Sequence, residues 1–183
     1  MKKDSLLAII AGAGVGSRFE SEIPKQYLIL NAKSVIERAV EPFLCSNYVK
    51  KIIVVISKDD ILINEQSFYD SSKVEFIYGG EKRVNSIMNA IESVDLDEYE
   101  YVLTHDAARP NINERDIEIL YSDILDKNVS CTYFYSPVYD SIKKVGTETD
   151  KTKDKNEYVL VQTPQISKLN ELKNALIECN KSN

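Results

Sequence analysis

A glycine-rich loop and two cations near the start of the chain could bind phosphate groups. Residues 11–18 read Ala-Gly-Ala-Gly-Val-Gly-Ser-Arg, and such small residues let backbone amides approach phosphate oxygens. Arg18 ends this loop and Lys25 lies in the Pro-Lys-Gln-Tyr segment 24–27, where both could neutralise charge that develops on phosphorus. The spacing fits neither the dinucleotide-binding Gly-x-Gly-x-x-Gly pattern nor a P-loop. We therefore predict a triphosphate site; the alternative is a tight strand-to-helix turn with solvated cations.

A second polar group, His-Asp-Ala-Ala-Arg-Pro at 105–110, follows an apolar run. In α/β sheets, ligands bind at the carboxyl ends of strands. Asp106 could hold Mg²⁺ between phosphate oxygens, because Mg²⁺ keeps most of its waters and takes one or two carboxylates. Arg109 could grip a substrate phosphate with two hydrogen bonds. His105, the one histidine of the chain, is expected to be structural, although a general base is the alternative.

A third segment, residues 79–86, reads Gly-Gly-Glu-Lys-Arg-Val-Asn-Ser. The two glycines allow close backbone approach, and Glu81 and Ser86 could hydrogen-bond a nucleotide base. The alternative is an ordinary strand-to-helix turn with an acidic residue in the first helical turn.

Short apolar runs alternate with helical patterns and would position these three segments. Continuous runs predict strands covered on both faces, and they occupy residues 6–11, 52–56, 74–78, 101–104 and 131–135. Alternation of strand and helix up to about residue 125 predicts a doubly wound α/β fold with a mostly parallel sheet.

Helix signals lie between and after these runs. Apolar residues at helical spacing from Val84 to Ile91 and from Ile117 to Ile124 predict two amphipathic helices, the second with Asn113 as N-cap. Ser34 and Glu37 form a capping-box pattern for another helix, which Pro42 should kink or end early. A last helix is predicted over residues 169–179. Residues 141–156 carry few apolar side chains and are expected to project or to be disordered.

Bulk properties limit the function classes. The 183 residues suit one domain. A net charge of −6 argues against a nucleic-acid-binding surface. The apolar stretch near the N-terminus is too short for a signal peptide or a membrane span, and three scattered cysteines, Cys45, Cys131 and Cys179, favour a reducing compartment and apolar packing. A cytoplasmic protein without membrane association is predicted.

In this order, the segments resemble the 2-C-methyl-D-erythritol 4-phosphate cytidylyltransferase family of the non-mevalonate isoprenoid pathway. Further matches are Pro-Val-x-Asp-Ser-Ile-Lys at 137–143 and Gln-Thr-Pro-Gln at 162–165. The resemblance implies a Rossmann-like nucleotidyltransferase sheet with a protruding β-arm. It also implies transfer of CMP from CTP to methylerythritol phosphate, with Mg²⁺ as the metal cofactor and pyrophosphate as the second product.

The resemblance also implies roles for individual residues. Arg18 and Lys25 become the catalytic cations that stabilise the reacting phosphates. The metal ligand is Asp106. The CTP-binding residues are Ala13, Gly14, Gly16, Gly80, Glu81, Ser86 and Ala107, with Glu81 where Asp is frequent. The residues that contact the sugar-alcohol phosphate are Asp106, Arg109, Ser141, Lys155 and Thr163, with Lys155 where relatives often carry Arg.

Two further expectations concern assembly and length. The polar segment corresponds to an arm, at about residues 138–157 of a single domain spanning 1–183, with which family members embrace a second subunit. A homodimer is therefore expected. Family members continue beyond the position of Asn183, with a further phosphate-binding lysine, so a shortened form is expected. The alternatives are ribitol 5-phosphate cytidylyltransferase, a CTP-binding module without activity, or an α/β interaction protein.

Overall fold

The computed structural model describes residues 6–14, 23–144, 146 and 152–181. Its centre is a six-stranded sheet with the order β5-β4-β1-β6-β10-β7. These strands are β1 (Leu6–Ala11), β4 (Val49–Ile56), β5 (Val74–Tyr78), β6 (Tyr101–Asp106), β7 (Cys131–Pro137) and β10 (Val159–Lys168). Neighbours pair in parallel from β5 to β6, whereas β10 runs antiparallel to both β6 and β7. The predicted mostly parallel α/β sheet is confirmed.

Helices cover both faces of this sheet. They are α1 (Val35–Cys45), α2 (Arg83–Glu92), α3 (Glu114–Lys127) and α4 (Leu169–Lys181). Alternate β1 residues point to opposite faces: Leu6, Ala8 and Ile10 pack with α1 and α3, while Leu7 and Ile9 pack with α2 and α4. The fold is therefore doubly wound, as the sequence predicts.

The predicted helix starts agree with the observed caps. Ser34 accepts a hydrogen bond from the Glu37 amide and its own amide donates to the Glu37 carboxylate. Asn113 forms the same reciprocal pair with Asp116 at the start of α3. Of the two effects predicted for Pro42, an early end of α1 is wrong, because the helix continues to Cys45, and a kink stays a prediction.

Two other sequence expectations are corrected by the structure, and one strand was missed. The three cysteines are exposed rather than buried packers. Strand β7, at the edge of the sheet, alternates between exposed and covered residues. Because successive side chains point to opposite faces, this pattern shows that only one of its faces is covered. Strand β10 was not predicted from its sequence.

Two short ribbons lie outside the main sheet. Strands β2 (Ile29–Leu30) and β3 (Lys33–Ser34) form a hairpin before α1, and β8 (Ile142–Lys143) pairs with β9 (Thr152–Lys153). The second ribbon lies in the polar segment that was expected to project. Within the described parts of the chain, every helix falls short of the length and apolarity that crossing a membrane requires.

Candidate active site

Three loops converge at the carboxyl edge of the parallel strands. Ala11 at the end of β1 pairs with Val55 on one side and with Asp106 on the other. Backbone hydrogen bonds then tie the residues after the strands to neighbouring strand ends. These bonds run from Gly12 N to Val55 O (2.8 Å), from Gly79 N to Ile56 O (2.9 Å) and from Ala107 N to Ala11 O (3.0 Å). The three segments predicted to bind phosphates, metal and base therefore lie side by side.

We call the glycine-rich loop at residues 11–18 the phosphate loop, and Gly79 and Gly80 after β5 the glycine turn. The start of the phosphate loop contacts the glycine turn. A Cβ atom at Gly79 would overlap the Ala13 Cβ and would lie 2.8 Å from the Ser86 Oγ, so glycine is required for this close approach. Gly14 is exposed beyond the contact. Gly16 and Arg18 lie outside the described residues.

The glycine turn is held by the first turn of α2. Ser86 is only 4% exposed, and its Oγ accepts a hydrogen bond of 3.1 Å from the amide of Gly80. Glu81 is exposed at the tip of the turn. Ser86 thus shapes the turn, and base recognition by Gly80, Glu81 and Ser86 stays a prediction.

Asp106 lies between two arginines. Arg83 Nε and a terminal Arg83 nitrogen both lie 3.0 Å from the Asp106 Oδ1, and Arg109 Nε donates to Oδ2 at 3.1 Å. The carboxylate is 30% exposed. Two guanidinium groups around one carboxylate leave a net positive charge, which suits a site for phosphates.

Strand β10 brings two more polar side chains to this group. Its pairing with β7 shifts register between Val161 and Gln165, next to the end of β6. Gln162 Oε1 accepts a hydrogen bond of 2.6 Å from Arg109 Nη1, and Thr163 Oγ1 accepts one of 3.4 Å from the amide of Asp106. The antiparallel strand therefore completes the arginine and aspartate cluster.

His105 lies beneath this cluster and is 1% exposed. Its Nε2 lies 2.9 Å from the carbonyl oxygen of Arg109, which requires the proton on that nitrogen. Burial lowers the pKa of His105 to about 4, so the imidazole is neutral at neutral pH. Its ring also contacts Phe43 at a centroid distance of 5.5 Å. These contacts agree with the predicted structural role.

Lys25 begins a short 3-10 turn, Lys25–Tyr27, and its side chain is exposed. The next residue, Gln26, is buried and donates a hydrogen bond of 3.1 Å from Nε2 to the carbonyl oxygen of Gly12. Lys25 therefore belongs to a turn that is attached to Gly12 of the phosphate loop.

The remaining predicted substrate residues lie in the polar segment. Ser141 is exposed directly before β8. Lys155 is exposed, and its Nζ donates a hydrogen bond of 2.8 Å to the carbonyl oxygen of Tyr139. The described contacts connect Lys155 to its own segment rather than to Asp106.

Sequence reasoning assigned no role to Arg83, Gln162 and Gln26. All three lie inside the segments that were predicted to form the site. In those segments the sequence analysis gave roles only to neighbouring residues. A signal did exist for Arg83, since a cation in the first turn of α2 follows a strand that ends at the same edge as β6.

The described residues contain no cluster of three or more His, Cys, Asp or Glu that could bind a metal ion. A single carboxylate is nevertheless compatible with Mg²⁺, which phosphate oxygens and waters largely surround. Each carboxylate oxygen has two lone-pair positions, and Oδ2 of Asp106 has one arginine donor. The donor chemistry of Asp106 therefore fits Mg²⁺ on its open side.

The chain is similar to one protein family and to known members of it. The family model described as "IspD: 2-C-methyl-D-erythritol 4-phosphate cytidylyltransferase" matches residues 6–183. A protein of that name from Actinobacillus pleuropneumoniae serotype 7 is 34% identical over 180 residues, which is 97% of this chain and 77% of the relative. Another, from Haemophilus ducreyi, is 36% identical over 93% of this chain and 74% of its own length.

A solved structure agrees with these matches. The crystal structure of the Francisella tularensis enzyme of the same name has a TM-score of 0.79 and 30% identity, covering 97% of this chain and 79% of that one. The family model, the relatives and the fold thus all indicate the same family. The chain belongs to the 2-C-methyl-D-erythritol 4-phosphate cytidylyltransferase family.

Proposed function

We propose that this protein transfers CMP from CTP to 2-C-methyl-D-erythritol 4-phosphate, giving 4-diphosphocytidyl-2-C-methyl-D-erythritol and pyrophosphate. The observation that carries the proposal is the convergence of the phosphate loop, the glycine turn and the Asp106 cluster at one edge of the sheet. An oxygen of the sugar-alcohol phosphate attacks the α-phosphorus of CTP. The bond from that phosphorus to the oxygen bridging to the β-phosphate breaks, and pyrophosphate leaves.

The chain supplies positioning and positive charge rather than a nucleophile. A phosphate oxygen is ionised at neutral pH, so a general base is unnecessary, and His105 is buried and neutral. Lys25 and Arg18 stabilise the charge on the reacting phosphates, and Arg109 binds the acceptor. Preorganised cations of this kind act mainly on the transition state.

Asp106 would hold Mg²⁺. When bound, the ion would neutralise phosphate charge and lower the barrier to attack on phosphorus. Arg83 and Arg109 fix the orientation of the carboxylate through its two oxygens.

The alternatives carry less support. Ribitol phosphate as acceptor fits the same loops, but the family match and the relatives are named for methylerythritol phosphate. A CTP-binding module without activity would leave the Arg109 and Gln162 pair without a ligand.

A homodimer is the second part of the proposal. An exposed apolar surface lies on β7, β10 and the adjoining segment, and we call it the tyrosine surface. Its members are Tyr133, Tyr135, Tyr139, Tyr158, Val159, Leu160 and Val161, each at least 41% exposed. Val159 and Val161 lie on the same face of the paired strands β7 and β10 as Tyr135, and Leu160 lies on the opposite face. Exposed apolar side chains grouped along paired strands are typical of contact surfaces. The cytoplasmic location also stays a prediction.

The direct test is pyrophosphate release by the 183-residue chain with CTP and Mg²⁺, comparing methylerythritol phosphate and ribitol phosphate. We expect release with the first acceptor and little with the second. Equal release with ribitol phosphate would overturn the assigned substrate. CTP binding in a calorimeter without release from either acceptor would instead support the binding-module alternative.

A further inference from the structure

The Lys25 turn is fixed to the molecule by the residues on its carboxyl side. Gln26 is 5% exposed and Tyr27 is 7% exposed, whereas Lys25 is exposed. Because both following side chains point inward, the backbone that carries Lys25 cannot rotate freely.

Gln26 makes the connection to the phosphate loop. Its Nε2 donates to the Gly12 carbonyl oxygen across 14 residues of sequence, in a buried hydrogen bond of 3.1 Å. Gly12 itself is immobilised, since its amide donates to Val55 O at 2.8 Å. An added Cβ atom there would lie 3.0 Å from the same Val55 oxygen and 3.4 Å from the Ala107 Cβ. The partner of Gln26 is therefore a fixed point at the end of β1.

Tyr27 makes a second contact that holds the Lys25 turn in place. Its hydroxyl donates a hydrogen bond of 2.6 Å to Asp60 Oδ2, beyond the end of β4. Burial raises the pKa of Tyr27 above its ordinary value, and the hydrogen bond and charge of Asp60 add to that shift, so the hydroxyl stays a donor. The turn is thus anchored to two strand ends while Lys25 remains outside.

We propose that Gln26 is a positioning residue, whose buried amide sets the placement of Lys25 relative to the phosphate-binding loop. This inference rests on the proposed function, in which Lys25 stabilises the reacting phosphates. Gln26 touches no substrate in this account and acts through Lys25. A small displacement of a catalytic group can lower the rate up to about a hundredfold.

The test is a double-mutant cycle with Gln26→Met, which keeps an unbranched side chain and removes the donor, and Lys25→Ala. We expect Gln26→Met to lower kcat by about tenfold to a hundredfold while KM for CTP changes by less than about threefold, since the loop itself remains. In the Lys25→Ala background the same substitution should lower kcat by less than about twofold.

Losses that multiply fully in the double variant would overturn the inference, because Gln26 would then act independently of Lys25. If Gln26→Met leaves kcat unchanged while Lys25→Ala lowers it strongly, this inference alone fails. If Lys25→Ala leaves kcat unchanged, the role of Lys25 and this inference fail while the transfer reaction stands. If the unaltered chain releases no pyrophosphate, the proposed function fails as well.

A second variant keeps the test decisive if Gln26→Met unfolds, which thermal unfolding would reveal. Gln26→Glu has the same shape, but its carboxylate cannot donate to the Gly12 carbonyl. A protonated carboxyl group can. Its kcat relative to the unaltered chain should therefore rise as pH falls, and a ratio that stays constant with pH would contradict the inference.

Discussion

The parallel and antiparallel parts of the sheet differ in how they are covered. Strand β1 has five residues with no exposed surface, Leu6 to Ile10, and helices lie on both of its faces. Strand β10 begins with exposed residues, Val159 to Val161, and becomes buried only where it reaches β6. The parallel part is a closed core, whereas the antiparallel part ends in the tyrosine surface.

The active-site cluster forms where these two parts meet. Asp106 comes from β6 of the parallel part, and Gln162 and Thr163 come from β10. Buried strands fix the loops that we propose for the nucleotide phosphates, while the less covered strand contributes Gln162 and Thr163 to the proposed acceptor side. The parallel part of the sheet therefore supplies buried strands, and the antiparallel part supplies a partly exposed one.

The largest expected contrast is between two leucines of these two parts. Leu7→Ala should lower the free energy of unfolding by about 2–5 kcal/mol. Leu7 lies on β1 and is fully buried against α2 and α4. Leu160 is 54% exposed, so Leu160→Ala should change monomer stability by less than about 0.5 kcal/mol. Urea unfolding at low protein concentration measures both.

The same two variants also test the proposed homodimer. Leu160→Ala should weaken self-association in sedimentation equilibrium, whereas Leu7→Ala should not do so at temperatures where it remains folded. Equal stability losses in dilute protein would show that the two parts are not covered differently.

Arg109→Lys tests the junction between the two parts. Lysine keeps the charge but, as a compact ammonium, cannot bridge Asp106 Oδ2 and Gln162 Oε1 with the geometry of a guanidinium group. We expect kcat/KM for the sugar-alcohol phosphate to fall by about tenfold, or about 1.4 kcal/mol. The matched control is Arg115→Lys, at an exposed position of α3, which should leave it unchanged. An unaltered kcat/KM in Arg109→Lys would show that the contacts of Arg109 with Asp106 and Gln162 do not matter for the reaction.

The smallest expected effect concerns a helix that packs on the antiparallel strands. Asn113→Ala removes the side-chain acceptor for the Asp116 amide at the start of α3, which contacts β7 and β10. We expect a loss of about 1 kcal/mol in the free energy of unfolding. Asn111→Ala, two residues earlier at an exposed position, should stay within about 0.5 kcal/mol. Equal values for the two variants would exclude the cap as the cause.

The sequence predicted the parallel part well because burial on both faces leaves a direct signal. The run 74–78 coincides with β5, and the run 6–11 coincides with β1. The caps at Ser34 and Asn113 were also predicted, since capping depends on a few adjacent residues. Local chemistry and complete burial are the properties that a single sequence expresses most clearly.

The antiparallel part was predicted poorly for the opposite reason. Strand β10 contains Gln162, Thr163 and Pro164, which interrupt both the apolar run and the alternation of a strand. Its place between β6 and β7 depends on pairing with residues far away in sequence. The hydrogen bond from Arg109 to Gln162 and the one from Gln26 to Gly12 likewise join distant segments, so no local pattern indicates them.

The double arginine contact of Asp106 has a consequence for how strongly the site holds anions. In the free protein, both guanidinium groups already have an anionic partner and are partly stripped of water. On the proposed assignment, an arriving phosphate would exchange one ion pair for another, and its binding free energy would be the difference between the two pairings. With Arg109 in its proposed role, this exchange would limit how tightly the acceptor phosphate is held, because Asp106 competes with that phosphate for the same guanidinium group.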